Sequence, residues 1–230
     1  MVWQLIVIAM VGYLIGSINL SIILSKLMGK GDIREHGSGN AGTTNTLRVL
    51  GKLPALVVFI FDTLKAVIAI ALAKWLITLG NIDVANFEFA RELAILVSAF
   101  AAILGHNFPI YYGFKGGKGI ATSLGAIMAI EWEIGVVCLI FGVTLIIASR
   151  MVSLGSISTA ILYPVLVFVT GEAHAYPVPY FIFSLVLCVL AVYRHKSNIE
   201  RLLNGTENKL WKTKKEKALA EEAKAKEENN

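Results

Sequence analysis

Residues 119–150 read GIATSLGAIMAIEWEIGVVCLIFGVTLIIASR, and whether this stretch crosses a membrane once or twice decides the arrangement of the whole chain. It is largely apolar up to Arg150 except where Glu131, Trp132 and Glu133 interrupt it. The interruption divides it into a short helix of about 12 residues, roughly 18 Å long, and an ordinary one of about 17. A hydrocarbon core of about 30 Å asks for roughly 20 helical residues. The first piece is therefore marginal as a crossing, and a re-entrant segment is the alternative.

On either side lie five further apolar runs, at about 3–25, 54–78, 89–111, 152–170 and 177–194. Loop charge then sets orientation, because Lys and Arg concentrate in cytoplasmic loops. Lys26, Lys30, Arg34, Arg48 and Lys52 fall in one connecting segment, Lys115 and Lys118 in the next but one, Arg150 after the split stretch, and many lysines follow the last run. The opposite loops carry Asp83, Glu88, Glu92, Glu131, Glu133 and Glu172, with Arg91 as the exception. Two crossings within 119–149 put every basic loop on one face; a single crossing would separate Arg150 from the basic C-terminal segment. The expectation is an all-α polytopic membrane protein of seven spans, the fourth short, with the N-terminus outside and the C-terminus cytoplasmic. Residues 1–209 form one transmembrane domain, and 210–230 a charged cytoplasmic tail in which Lys and Glu mix without an apolar face.

Composition agrees with lipid as the solvent. Of 230 residues, 56% are hydrophobic and 16% charged, with a mean hydropathy of +0.69, above the apolar content of ordinary soluble domains. The N-terminal run has no basic segment before it and stays apolar beyond Asn19, which reads as a retained first span rather than a cleaved signal. Cys138 and Cys188 sit in apolar runs without metal-ligand or redox spacing and read as small hydrophobes. Within the second span, Asp62 and Lys65 are three residues apart on one helix face and can pair. Intramembrane charges are costly unless paired or turned inward, so the pair reads either as a structural brace or as part of a site.

Three polar segments on the basic face carry chemistry. The first, His36-Gly-Ser38-Gly-Asn40-Ala-Gly-Thr-Thr44-Asn45-Thr-Leu-Arg48, gathers hydroxyls, amides, glycines and an arginine, the ingredients of a phosphate cradle. A helix starting at Thr43 or Thr44 would add a dipole that favours anions. The second, Gly105-His106-Asn107-Phe-Pro-Ile-Tyr-Tyr-Gly-Phe-Lys115-Gly116-Gly117-Lys118-Gly119-Ile-Ala-Thr122, has a Lys-Gly-Gly-Lys-Gly turn at a helix start. It is not a nucleotide P-loop, since Tyr112 and Gly119 occupy the positions where that pattern needs Gly and Ser/Thr. His106, among apolar neighbours, reads as a ligand contact or as a satisfied structural histidine. The third, Arg194-His195-Lys-Ser-Asn198-Ile-Glu-Arg201 through Gly205, Glu207 and Lys209, puts His195 and Asn198 on one helical face; a juxtamembrane topology anchor is the plainer reading of its charge. Arg150, Ser153 and Ser156 lie on the same side of the membrane and add a fourth wall.

Together these segments resemble the bacterial membrane-integral acyl-phosphate:glycerol-3-phosphate acyltransferases of the PlsY type, over residues 1–209. The resemblance implies transfer of an acyl group from acyl phosphate to the 1-hydroxyl of glycerol 3-phosphate, giving lysophosphatidic acid and phosphate for phospholipid synthesis. It implies Ser38, Arg48, Lys115, His195 and Asn198 at the reaction centre. Asn40, Thr44, Asn45, His106, Asn107, Thr122, Arg150, Ser153 and Arg201 are expected around the substrates, and Gly116, Gly117, Lys118 and Gly119 on the acyl phosphate. Glu207, Asp62 and Lys65 are expected as structural residues. No cofactor, metal or nucleic acid is implied. The partners are the two substrates, membrane lipid and an acyl-phosphate-producing enzyme; the oligomeric state stays open. The location implied is the bacterial inner membrane, with the site on its cytoplasmic face.

Two competing readings are weaker. His-x4-Asp, the mark of thioester-dependent glycerolipid acyltransferases, is missing, because Glu200 follows His195 and Tyr111 follows His106 at that spacing. A phosphorylated-solute transporter would place its binding groups near the midplane on broken helices, whereas these lie at one interface.

Overall fold

The computed structural model describes residues 2–79, 87–171 and 177–211. Asp83, Glu172 and the tail from 212 onward lie outside the described residues. Among those described, the chain is helical throughout, with no strand. The helices are α1 (Val2–Ser17), α2 (Leu20–Leu27), α3 (Thr43–Val49), α4 (Lys52–Leu79), α5 (Phe87–Asn107), α6 (Ile120–Ile130), α7 (Trp132–Ser149), α8 (Val152–Thr170), α9 (Pro177–Arg194) and α10 (Lys196–Leu203). Six apolar stretches are long enough to cross a membrane, the first of them spanning both α1 and α2, and α6 is a shorter apolar helix beside them.

The first run is not one helix. It breaks at Ile18-Asn19, where the Asn19 side chain caps α2 by accepting from Ile22 N–H at 3.2 Å and donates to Ala41 O at 3.1 Å. The break leaves the Ile18 carbonyl outside any helix ladder, and Lys65 Nζ takes it at 3.2 Å. Close packing against α5 is set by two glycines. A Cβ on Gly16 would lie 2.1 Å from Ala102 O, and one on Gly105 would lie 2.2 Å from Tyr13 O. Small residues let membrane helices approach backbone to backbone in this way.

The 119–149 stretch divides as its charges suggested, with Glu131 as the joint between α6 and α7. α6, at 11 residues, is roughly 16 Å long. α7 then runs back, and its last carbonyl neighbour, Arg150 O, accepts from Leu210 N–H at 2.8 Å. Leu210 lines the same cavity as Lys118 and Gly119, which precede α6. Both ends of the stretch therefore meet at one end of the bundle. α7 and α8 are joined tightly through Arg150, which adopts a left-handed conformation (φ 64°).

Candidate active site

The first polar loop is organised by Asn45, which is almost fully buried. Its amide donates to Ile33 O and His36 O at 3.0 and 2.9 Å, and its oxygen accepts from Ser38 N–H at 2.8 Å. With both amide protons donated and its oxygen accepting, Asn45 fixes where Ser38 stands. Gly37 must lack a side chain, because a Cβ there would lie 2.2 Å from Asn45 Oδ1.

The second loop folds back onto the end of α5. Gly116 N–H donates to Asn107 O at 3.2 Å and Gly117 N–H to His106 O at 3.1 Å. A Cβ on either glycine would come within 2.0 Å of His106. Arg194 clasps the turn from outside, donating to Gly117 O at 2.7 Å and Gly116 O at 3.3 Å, with its guanidinium 5.0 Å from the Phe108 ring centre. Arg34 ties the first loop to the second by donating to Tyr112 O and Lys115 O at 2.7 and 2.8 Å, while Asp32 holds its other nitrogens.

The third segment is braced by Glu207. Its two carboxylate oxygens accept from Asn198 Nδ2 at 2.9 Å and Arg201 Nε at 3.0 Å. Asn198 Oδ1 accepts from Lys118 Nζ, which links the third segment to the second.

These loops open onto one cavity of about 610 Å³. Ser38, Asn40, Thr44, Asn45 and Arg48 line it from the first segment, His106, Lys118 and Gly119 from the second, and His195, Asn198, Arg201 and Glu207 from the third, with Ser153 and Ser156 from α8. Below this polar mouth the lining turns apolar, through Ile127, Leu139, Val143, Ile146 and Leu187. Asp62 reaches the same wall.

Several expected residues are elsewhere. Lys115 is exposed and off the cavity wall, because the left-handed turn at Gly113 and Phe114 and the Arg34 bond to its carbonyl face its side chain outward. Gly116 and Gly117 do not cradle an anion, since their amides already serve the α5 carbonyls. Asn107 and Thr122 are fully buried off the wall, and Arg150 marks the α7–α8 joint beside it. Gly119 and the first turn of α6 stand at the cavity wall, and the N–H groups there have no intrahelical acceptors. Arg34 and Asn19 also shape the site. Both act by bonding carbonyls remote in sequence, which no local pattern announces.

Asp62, Lys65 and His106 form one buried group. Lys65 Nζ lies 2.8 Å from Asp62 Oδ1 and 2.8 Å from His106 Nδ1. With Ile18 O, an ammonium's three protons have three acceptors, so His106 accepts at Nδ1 and its Nε2–H faces the glycine turn. His106 thus shapes the second loop.

Electrostatics favour anions. Burial pushes the Lys118 ammonium down to about 8, and Arg201, Arg194 and Arg48 push the same way against Glu207. Burial likewise holds His195 down at about 4, helped by Lys118 and opposed by its bond to Ala191 O and by Glu207. His195 is therefore neutral near pH 7. Its Nδ1 lies 2.7 Å from Ala191 O; a carbonyl only accepts, so Nδ1 carries the proton and Nε2 keeps a lone pair.

A cationic headgroup chamber continuous with an apolar corridor, all within a membrane bundle, defines a lipid-handling membrane enzyme. A family profile described as glycerol-3-phosphate acyltransferase matches residues 6–205. The protein from Halalkalibacterium halodurans named glycerol-3-phosphate acyltransferase is 45% identical over 202 residues, covering 88% of this chain and 93% of that one. The namesake from Thermoanaerobacter pseudethanolicus is 44% identical over the same shares. The crystal structure of PlsY, an integral membrane glycerol 3-phosphate acyltransferase, in its glycerol 3-phosphate form matches with a TM-score of 0.75 at 35% identity, over 89% of this chain and 94% of that one. Its lysophosphatidic acid form matches with a TM-score of 0.72 at 34% identity. The chain belongs to the glycerol-3-phosphate acyltransferase family, and with it to the enzymes of phospholipid biosynthesis.

Proposed function

We propose that the acyl donor is an acyl phosphate and that the acyl group goes to the 1-hydroxyl of glycerol 3-phosphate, leaving lysophosphatidic acid and inorganic phosphate. The observation that carries this reading is the single cavity in which a cationic mouth meets an apolar corridor. Two phosphates and one acyl chain fit that division. The PlsY structures in glycerol 3-phosphate and lysophosphatidic acid forms support the acceptor and the product. Purified protein supplied with glycerol 3-phosphate and saturated acyl phosphates of about ten to sixteen carbons is expected to release phosphate and lysophosphatidate together, with the matching acyl thioesters inert. Turnover with the thioester alone would reject the donor.

In this reading Arg48, Lys118 and Arg201 hold the phosphates, with the first amides of α6 on the acyl phosphate, and Ser38 and Asn198 orient the reacting groups. An acyl phosphate is already activated, so positioning and stabilisation of the tetrahedral oxyanion supply most of the acceleration. His195 Nε2 accepts a hydrogen bond from the acceptor hydroxyl. As a base it is weak, since its conjugate acid lies at about 4 whereas a phosphate monoester dianion takes up a proton near pH 6. The proton therefore passes to a phosphate oxygen of the bound substrates. His195→Gln is expected to lower kcat yet leave the limb of its pH profile near neutrality in place; disappearance of that limb would assign the proton to His195.

The membrane reading follows from charge. Seven crossings, with α6 as the short fourth, put the loops bearing Arg48, Lys118, Arg150 and the segment after α9 on the cytoplasmic face of the bacterial inner membrane, with the N-terminus outside. Residues 1–209 form the catalytic domain together with Leu210, which the 209/210 boundary would have left out although it bonds to Arg150 and lines the cavity; the charged tail follows it. An enzyme that makes acyl phosphate is the functional partner, and no cofactor enters the reaction.

A further inference from the structure

The corridor is closed at its deep end. On each of four helices the lining residue farthest from the headgroup mouth is buried: Ile127 on α6, Cys138 on α7, Tyr163 on α8 and Leu187 on α9. All four belong to one packed cluster that continues beyond them through Val167 and Phe183. Tyr163 is the largest of the four and only 2% exposed. It sits on the face of α8 that also presents Ser153 and Thr159 to the cavity.

The Tyr163 hydroxyl has no hydrogen-bond partner among the described residues, although a buried phenol usually finds one. Tyr163 stands on the cavity wall, with its hydroxyl covered by the packing that closes the corridor's end. Between Ser153 at the mouth and Tyr163, α8 advances about 15 Å at its normal rise, the extended length of roughly a dozen methylenes.

We infer that Tyr163 sets the upper limit of acyl-chain length. The terminal methyl of the longest well-accepted chain abuts the Tyr163 side chain. A longer chain must bend within the corridor or push into the packed cluster behind Tyr163. The inference rests on the corridor being the acyl site. Since one methylene too many in a fitted pocket is worth roughly tenfold or more in discrimination, the cut-off is sharp enough to measure.

The test is kcat/KM for a homologous series of saturated acyl phosphates. Tyr163→Ala opens the end and is expected to move the optimum by about three carbons toward longer chains, with roughly tenfold gains for chains the unaltered enzyme rejects. Ala160→Leu fills the corridor one turn nearer the mouth and is expected to move the optimum toward shorter chains. It reports even if Tyr163→Ala does not fold. Tyr163→Phe keeps the ring and is expected to keep the optimum. An unchanged optimum in Tyr163→Ala, or in Ala160→Leu when only that variant folds, overturns the inference. If the unaltered enzyme uses no acyl phosphate, the donor reading falls by itself, and the same series is run with acyl thioesters and read by the same criteria.

Discussion

Lys118→Met is expected to lower kcat/KM by about a hundredfold to a thousandfold, the range seen when one preorganised donor to a developing oxyanion is removed. Lys118 is where the second and third segments meet, through Asn198, and it lies among Arg48, Arg194 and Arg201. Its ammonium titrates at about 8. The charge is thus complete well below that pH and is lost as pH rises through it, so kcat/KM of the unaltered enzyme should fall on the alkaline side of about pH 8. That profile reports the free enzyme. In kcat the fall should move to higher pH, because a bound phosphate stabilises the ammonium. Lys118→Arg keeps a charge that does not titrate in this range and should flatten the alkaline limb even if it is slower. A methionine variant within threefold of the parent, or an arginine variant with the limb intact, would remove Lys118 from the site.

Asp62→Ala is expected to cost about 3–5 kcal/mol of stability, as breaking a buried ion pair from one side does. The two side chains are 1% and 2% exposed and 2.8 Å apart. Without Asp62, Lys65 keeps only the Ile18 carbonyl and His106 as acceptors. The double change Asp62→Leu with Lys65→Met leaves neither charge and should recover most of the loss, because apolar replacements of buried pairs are often neutral. Thermal unfolding of the detergent-solubilised protein compares the two. Equal losses in the single and double variants would show that the charges do not depend on each other.

What could be read in the sequence follows the range of the interactions. Glu131 interrupts an apolar run, and the chain turns there; an i,i+3 spacing placed Asp62 beside Lys65. His106, 41 residues from Lys65, could not be joined to them by any local rule, nor could the break at Asn19, which depends on the distant Ala41 carbonyl. The glycine turn misled for a physical reason. A glycine that exposes its amide to an anion and one that lets a helix end approach look alike in sequence, and Gly116 and Gly117 are of the second kind. Lys115 and Lys118 are equally indistinguishable in sequence. Which of them turns inward is settled by the backbone at Gly113 and Phe114 and by the grip of Arg34. The closed end of the corridor draws one residue from each of four helices and leaves no mark in any single segment.

The hydrogen bond from Leu210 to Arg150 bears on the order in which the protein is made. Asn198, Arg201 and Glu207 follow every other wall of the cavity along the chain, and Leu210 hooks them to the α7–α8 joint. Once α9 has been made, the chain holds every wall of the chamber but this one. Arg48 and Lys118 are in place by then without Glu207 beside them. The third segment, hooked down by Leu210, is thus the part that completes the chamber and sets Glu207 beside the cations.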